Sequence, residues 1–244
     1  MSLLSLPREL QLHILGLLPV RDLLRVSETC RSLKDLARDP SLWKQLVLNY
    51  KNVNNNTKAC REHVARCSKL RELSIVLPKI YQGYIRSEKI MSVVMKAKST
   101  LTTLSFDKFK LADSSFKQIS QITNLTKLEI NVLKLKSDGL KNLNLSNLRS
   151  LKICNLRDSL LILASECFGL EHLEVSGRAD VTEPAISTFL LLSKETLKHL
   201  YIKDCNLNPG FVKMMQQEYP HIKIETAPWT LRYRPPVFSC CWCW

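Results

Sequence analysis

The hexapeptide "LTKLEI" at 125–130 places leucine at its first and fourth positions and isoleucine at its sixth. Alone it says little. Five other segments share the pattern of apolar, two variable residues, leucine, one variable residue, apolar: "LRELSI" at 70–75, "LTTLSF" at 101–106, "LRSLKI" at 148–153, "LEHLEV" at 170–175 and "LKHLYI" at 197–202. Successive copies start 31, 24, 23, 22 and 27 residues apart. Two weaker copies flank the six, "WKQLVL" at 43–48 and "YPHIKI" at 219–224. A fixed period of this size is the mark of a repeat architecture and outranks any local reading.

Within the unit, positions 4 and 6 alternate as on a strand and point to one side. Each strand is followed by a stretch of helical period: "SEKIMSVVMKAK" (87–98), "DSSFKQISQI" (113–122), "RDSLLILASEC" (157–167), "EPAISTFLLLSK" (183–194) and "NPGFVKMMQQEY" (208–219). Pro184 and Pro209 fall where a first helical turn tolerates proline. A strand, a turn and a helix repeated every 22–31 residues give a leucine-rich-repeat solenoid of about six to eight units, with a parallel sheet on the concave side and helices outside. The fold class is α/β. The segments "LYIKDCNLNPGF" and "LEVSGRADVTEPAI" resemble the cysteine-containing subtype of this repeat, with Cys205 in the cysteine position.

Repeat register names the concave face, because positions 3, 5 and 7 point away from the core. From the second copy onward these are Glu72, Ser74, Val76; Thr103, Ser105, Asp107; Lys127, Glu129, Asn131; Ser150, Lys152, Cys154; His172, Glu174, Ser176; His199, Tyr201, Lys203; and His221, Lys223, Glu225. The face is nearly neutral. The chain as a whole carries +14, with seven bases against five acids in residues 1–50, so the excess belongs to the repeats. Lysines such as Lys89, Lys96, Lys98 and Lys117 place it on helices and loops rather than in the cup. Three of the five histidines, His172, His199 and His221, take position 3, which predicts a row spaced about 4.8 Å apart on neighbouring strands. With Glu174, Tyr201, Lys203 and Lys223, that row is the candidate ligand-contacting patch. Ligands in a flat row do not surround an ion, so no metal is expected there.

Ahead of the repeats stands "LPRELQLHILGLLPVRDLLRV" (6–26). Leu6, Leu10, Ile14 and Leu17 or Leu18 recur at helical spacing, with Pro7 and Glu9 in the first turn. The break at "LPVRD" lets Asp22 cap a second helix that buries Leu23, Val26, Cys30 and Leu33, and "RSLKDLARDPSLWKQL" supplies a third stretch through Trp43. Residues 3–46 are strongly similar to an F-box, and their coupling to the repeats resembles the F-box/leucine-rich-repeat family. Leu33 stands where that family usually has a large aromatic residue and Leu15 where phenylalanine is commoner; both keep the surface apolar.

The resemblance implies a non-catalytic subunit of a Skp–cullin–F-box ubiquitin ligase. Its F-box would bind the Skp-type adaptor, and through it a cullin–RING ligase, by Leu6, Pro7, Leu10, Ile14, Leu15, Leu18, Pro19, Leu23, Val26, Leu33 and Trp43. Its solenoid, residues 43–226, would bind the protein to be ubiquitinated, and residues 227–244 form a C-terminal extension. The apolar residues of 6–43 also fit a simple helical cap over the first repeat, but their number favours a partner, since some 40 residues bury little surface alone. Trp43 and Leu46 belong to both modules and predict a rigid joint.

The remaining classes are bounded by composition. A pI near 9.5 invites a basic scaffold binding nucleic acid, yet the lysines come singly and no basic-aromatic reading motif is present. No apolar run approaches the ~20 residues that span a bilayer. The N-terminus does not read as a signal peptide, because Arg8, Glu9, Gln11 and His13 interrupt its one apolar stretch. Nine scattered cysteines suggest a reducing cytoplasmic or nuclear setting rather than a disulfide framework. Cys240 and Cys243 have CxxC spacing with no second pair, so no structural zinc is expected. The tail "PWTLRYRPPVFSCCWCW" either caps the last strand or, through lipid on Cys240, Cys241 or Cys243, tethers the chain to a membrane. No glycine-rich phosphate loop or nucleophile motif is present, and no cofactor is expected.

Overall fold

The computed structural model describes residues 3–18, 20–49, 53, 57–76, 87–109, 111–132, 146–154, 169–176, 181–205 and 207–227. The repeat motif becomes eight strands, one per copy: β1 (Gln45–Asn49), β2 (Glu72–Val76), β3 (Thr103–Phe109), β4 (Lys127–Val132), β5 (Ser150–Cys154), β6 (His172–Ser176), β7 (His199–Lys203) and β8 (Lys223–Ala227). All neighbours pair in parallel, and the sheet order is the chain order. Parallel strands need a crossover between them, and for five of the seven pairs described helices supply it. They are α4 (Thr57–Arg66), α5 (Ser87–Val94), α6 (Asp113–Ile119), α7 (Glu183–Ser193) and α8 (Pro209–Glu218). Most of the β4–β5 crossover (133–145) and of the β5–β6 crossover (155–168), the latter with its expected helix at 157–167, lies outside the described residues.

The motif works because its apolar positions are the core. From the second to the seventh strand, the position-4 leucines are partners across every pair, from Leu73↔Leu104 to Leu173↔Leu200. Every one of them is buried, as are the position-1 leucines and the position-6 residues Ile75, Phe106, Ile130, Ile153, Val175 and Ile202. Each buried leucine stabilises the stack by roughly 1.5–3 kcal/mol through surface removed from water. The position-2 carbonyls from Arg71 to Glu171 add a second ladder, each accepting two amides of the next turn: Thr102 O from Thr126 N and Lys127 N, then Thr126 O from Arg149 N and Ser150 N. Helix starts obey their caps. Thr182 accepts from Ala185 N and Asn208 from Gly210 N, with Pro184 and Pro209 in the first turns.

The N-terminal element packs three helices, α1 (Arg8–Gly16), α2 (Val20–Thr29) and α3 (Arg31–Ala37), onto the β1 end of the sheet. Two details differ from the sequence reading. Helix α2 begins at Val20, so Asp22 lies inside its first turn and pairs with Arg25 rather than capping it. Cys30 is not buried; it is an exposed, extended residue at the start of α3, because the second and third helices are separated there. The joint to the sheet is Trp43, whose Nε1 donates to Ala37 O at 2.8 Å while its ring meets His63 of α4 edge-on at 5.2 Å. Leu15, Leu23, Leu36, Trp43 and Leu46 belong to one continuous core with the repeats.

Candidate functional site

Two surfaces carry chemistry, and the first is on α1. A helix brings i, i+4 and i+7 to one face. Two such apolar stripes run along α1, one residue out of step. Gln11, Leu15 and Leu18 face inward, Leu15 being 1% exposed and Gln11 buried. Leu10 (50% exposed), Ile14 (38%) and Leu17 (73%) face outward, and Leu4 (43%) stands beside them on the short turn Leu3–Ser5. Four of the seven large exposed hydrophobics among the described residues therefore fall within residues 4–17. Apolar exposure concentrated in so short a stretch makes this face a candidate interaction surface.

Gln11 fixes the turn in place. Its Nε2 donates to Leu6 O at 2.8 Å and Leu4 O at 3.1 Å. Asp39, just past α3, ties down the first residue of α1. It accepts from Ser41 N and from Arg8 Nη2, both at 3.0 Å, and the bond from Ser41 above all holds its carboxyl below the usual carboxylate range.

These positions sort the expected adaptor contacts. Pro7, Leu10 and Ile14 are exposed, and Leu6 is half-buried. Leu18, Val26 and Leu33 are half-buried against the core. Leu15, Leu23 and Trp43, expected among the contacts, are buried in the core of the chain. Pro19 lies outside the described residues. Leu4 and Leu17, outside that expected set, are exposed beside it in sequence. Leu17 was legible as the i+3 neighbour of Ile14, whereas Leu4 precedes the helix and owes its place to Gln11.

The second surface is the concave face of β4–β8. An open trough of about 880 Å³ is lined by Glu129, Lys152, His172, Glu174, His199, Tyr201 and Glu225 among others. The expected row of three histidines is cut to two. His172 pairs with His199 across β6–β7, their rings 6.2 Å apart at 89°. The next partner of His199 is Lys223, not His221. The last strand pairs two residues later than its motif implies, and a two-residue slip keeps the same face inward, so Ile222 and Ile224 remain buried. His221 is left before the strand, exposed, with its Nε2 at 2.9 Å from Lys194 O.

Lysine–carboxylate ion pairs and a histidine–carboxylate hydrogen bond fill the trough. Lys127 meets Glu129 at 2.8 Å, Lys152 meets Glu174 at 2.7 Å, and Glu225 takes both Lys223 at 2.6 Å and His199 at 2.8 Å. Burial works against the charge of Lys152, yet the hydrogen bond and charge of Glu174, with Glu129 beyond, hold its pKa above the ordinary lysine value. Hydrogen bonds from Lys223 first and His199 second hold Glu225 below the usual carboxylate range. Lys203 lies at position 7 of β7, past the trough lining.

Among the described residues no group of three His, Cys, Asp or Glu could hold a metal ion, and no helix is long and apolar enough to cross a membrane. Burial pushes the Cys67 thiol up to about 11, away from reactivity at neutral pH. Cys240, Cys241 and Cys243 lie outside the described residues.

Comparison with known proteins bears on the first surface. Residues 3–49 match the family model described as F-box-like. No curated protein matches the chain. Among solved structures, an internalin from Listeria monocytogenes aligns with a TM-score of 0.42 at 14% identity, over 70% of this chain and 52% of its own length. The chain thus spans about half the length of that structure.

Proposed function

From an F-box-like domain at residues 3–49 followed by a leucine-rich-repeat solenoid, we infer that this chain is the substrate-recognition subunit of a Skp–cullin–F-box ubiquitin ligase. The observation that carries the reading is the outward stripe Leu10, Ile14 and Leu17, with Leu4, on an element already packed into the core by its other face. Such apolar anchors dominate protein interfaces when they enter a partner's pocket. The Skp-type adaptor is that partner, and it links the chain to a cullin–RING enzyme. Trp43 and the continuous core beneath it make the two modules one body, which suits a receptor holding its cargo at fixed distance from a ubiquitin-conjugating enzyme. The concave trough is the cargo's seat. The chain itself supplies no catalytic group, and its place of action is the cytoplasm or nucleus.

Affinity purification of the full chain from cells tests this. Co-purification of a Skp-type adaptor and a cullin, with ubiquitin transfer to a co-purified protein on reconstitution, is the expected result. Recovery without any adaptor would contradict it.

A further inference from the structure

The position-5 side chains of β4–β7, continued on the slipped β8 by Glu225, form a row along the trough: Glu129, Lys152, Glu174, Tyr201 and Glu225, in register from strand to strand. Signs alternate through the first three. Continued alternation would put a cation on β7. Tyr201 stands there instead, between two carboxylates whose strands are about 10 Å apart across it.

Those carboxylates are unequally satisfied. Glu225 is held by Lys223 and His199. Among the described residues the ionic partner of Glu174 is Lys152, on β5, away from Tyr201. Glu174 also shares that lysine with Glu129, whose charge acts on it as well. Tyr201 is half-buried and hydrogen-bonds to no other described residue. A carboxylate pair offers acceptors beyond those its present partners use. An aromatic ring offers a negative face to a cation, most effectively to the flat guanidinium of arginine, which can stack and donate sideways at once.

We propose that the trough binds a basic protein segment and seats an arginine side chain on Tyr201 between Glu174 and Glu225. This rests on the receptor reading and names the chemistry of its cargo. The fit is short-range, because the chain's net charge of +14 repels a basic ligand at a distance and attracts an acidic one. That opposition makes the test discriminating, since indiscriminate binding would favour the acidic peptide.

The measurement is fluorescence anisotropy of the full chain, at physiological salt, with labelled hexapeptides alternating serine with arginine, lysine or glutamate. The arginine peptide is expected to bind tightest and the glutamate peptide weakest. Tyr201→Ala, Glu174→Gln or Glu225→Gln should each weaken the arginine peptide by about tenfold. Glu72→Gln on β2, and Tyr201→Phe, which keeps the ring, should leave it unchanged. Preference for the glutamate peptide, or unchanged arginine binding in Glu174→Gln and Glu225→Gln, overturns the proposal. The two glutamine variants, half-exposed and isosteric, carry the test should Tyr201→Ala fail to fold. Adaptor co-purification is read on the same proteins: adaptor retained with no arginine preference sinks this inference alone, whereas adaptor absent with the preference present sinks the ligase reading alone.

Discussion

Gln11 Nε2 lies 2.8 Å from the carbonyl oxygen of Leu6, reaching back from inside α1 to the turn that carries Leu4. A buried amide in an otherwise apolar stripe is costly unless hydrogen-bonded, and here it is satisfied by two backbone acceptors. The polar residue on the inward face thus sets the position of an apolar residue on the outward one.

Replacing Gln11 by Met, which has nearly its shape, removes the amide that donates to both carbonyls. Loss of stability of about 1–3 kcal/mol is expected, together with weaker adaptor binding. If the second effect runs through Leu4, it should shrink in a Leu4→Ala background, whereas the melting shift persists. Calorimetric titration of the four variants separates the two; fully additive losses of affinity would assign Gln11 to stability alone.

Trp43 is the hinge pin between the modules. Trp43→Phe keeps the ring but removes the bond to Ala37 O, at an expected cost of about 1 kcal/mol. Trp43→Ala should cost about 3–5 kcal/mol by opening a cavity and removing the edge contact with His63. Denaturation followed by circular dichroism gives both. A change in Trp43→Ala smaller than that in Trp43→Phe would deny the residue its place in the core.

His63, packed on that tryptophan, makes the joint sensitive to acid. Burial first, and the nearby Arg66 second, hold its pKa below the ordinary 6.5. The unfolded chain therefore takes up the proton before the folded one, and stability falls as pH drops through 6.5 toward the folded pKa. Above 6.5 the effect vanishes. Melting temperatures between pH 8 and 5 should show that fall, flattened in His63→Gln; identical slopes would remove His63 as the cause.

Why some of this was legible in the sequence, and some not, follows from the physics of each element. Leucines at positions 1 and 4 have one role, burial, so six motif copies announced six strands with their register. The eighth strand slipped because "YPHIKI" offers Ile222 and Ile224 two residues apart, and either can take the place opposite Leu200 without turning a polar residue inward. The histidine row failed for that reason. On α1 the helical period reported an apolar excess but not which stripe faces in, since 10, 14, 17 and 11, 15, 18 share one spacing. Only packing against the turn Pro40–Leu42 and α3 decides that. The pairing of Glu174 and Glu225 about Tyr201 needed the true register of β8, which no single-chain pattern supplies.

If the outward stripe of α1 is the adaptor's binding surface, titration of purified Skp-type adaptor into the full chain shows it directly. Changing Leu10, Ile14 and Leu17 together to Asp puts charge on exposed positions, so melting should stay near that of the unaltered chain. Adaptor affinity should fall at least about a hundredfold, in keeping with the loss of several buried anchors. Leu191 and Leu192, equally exposed on α7, serve as the control pair, and their change to Asp should leave affinity intact. Undiminished adaptor binding by the folded α1 variant would contradict the account.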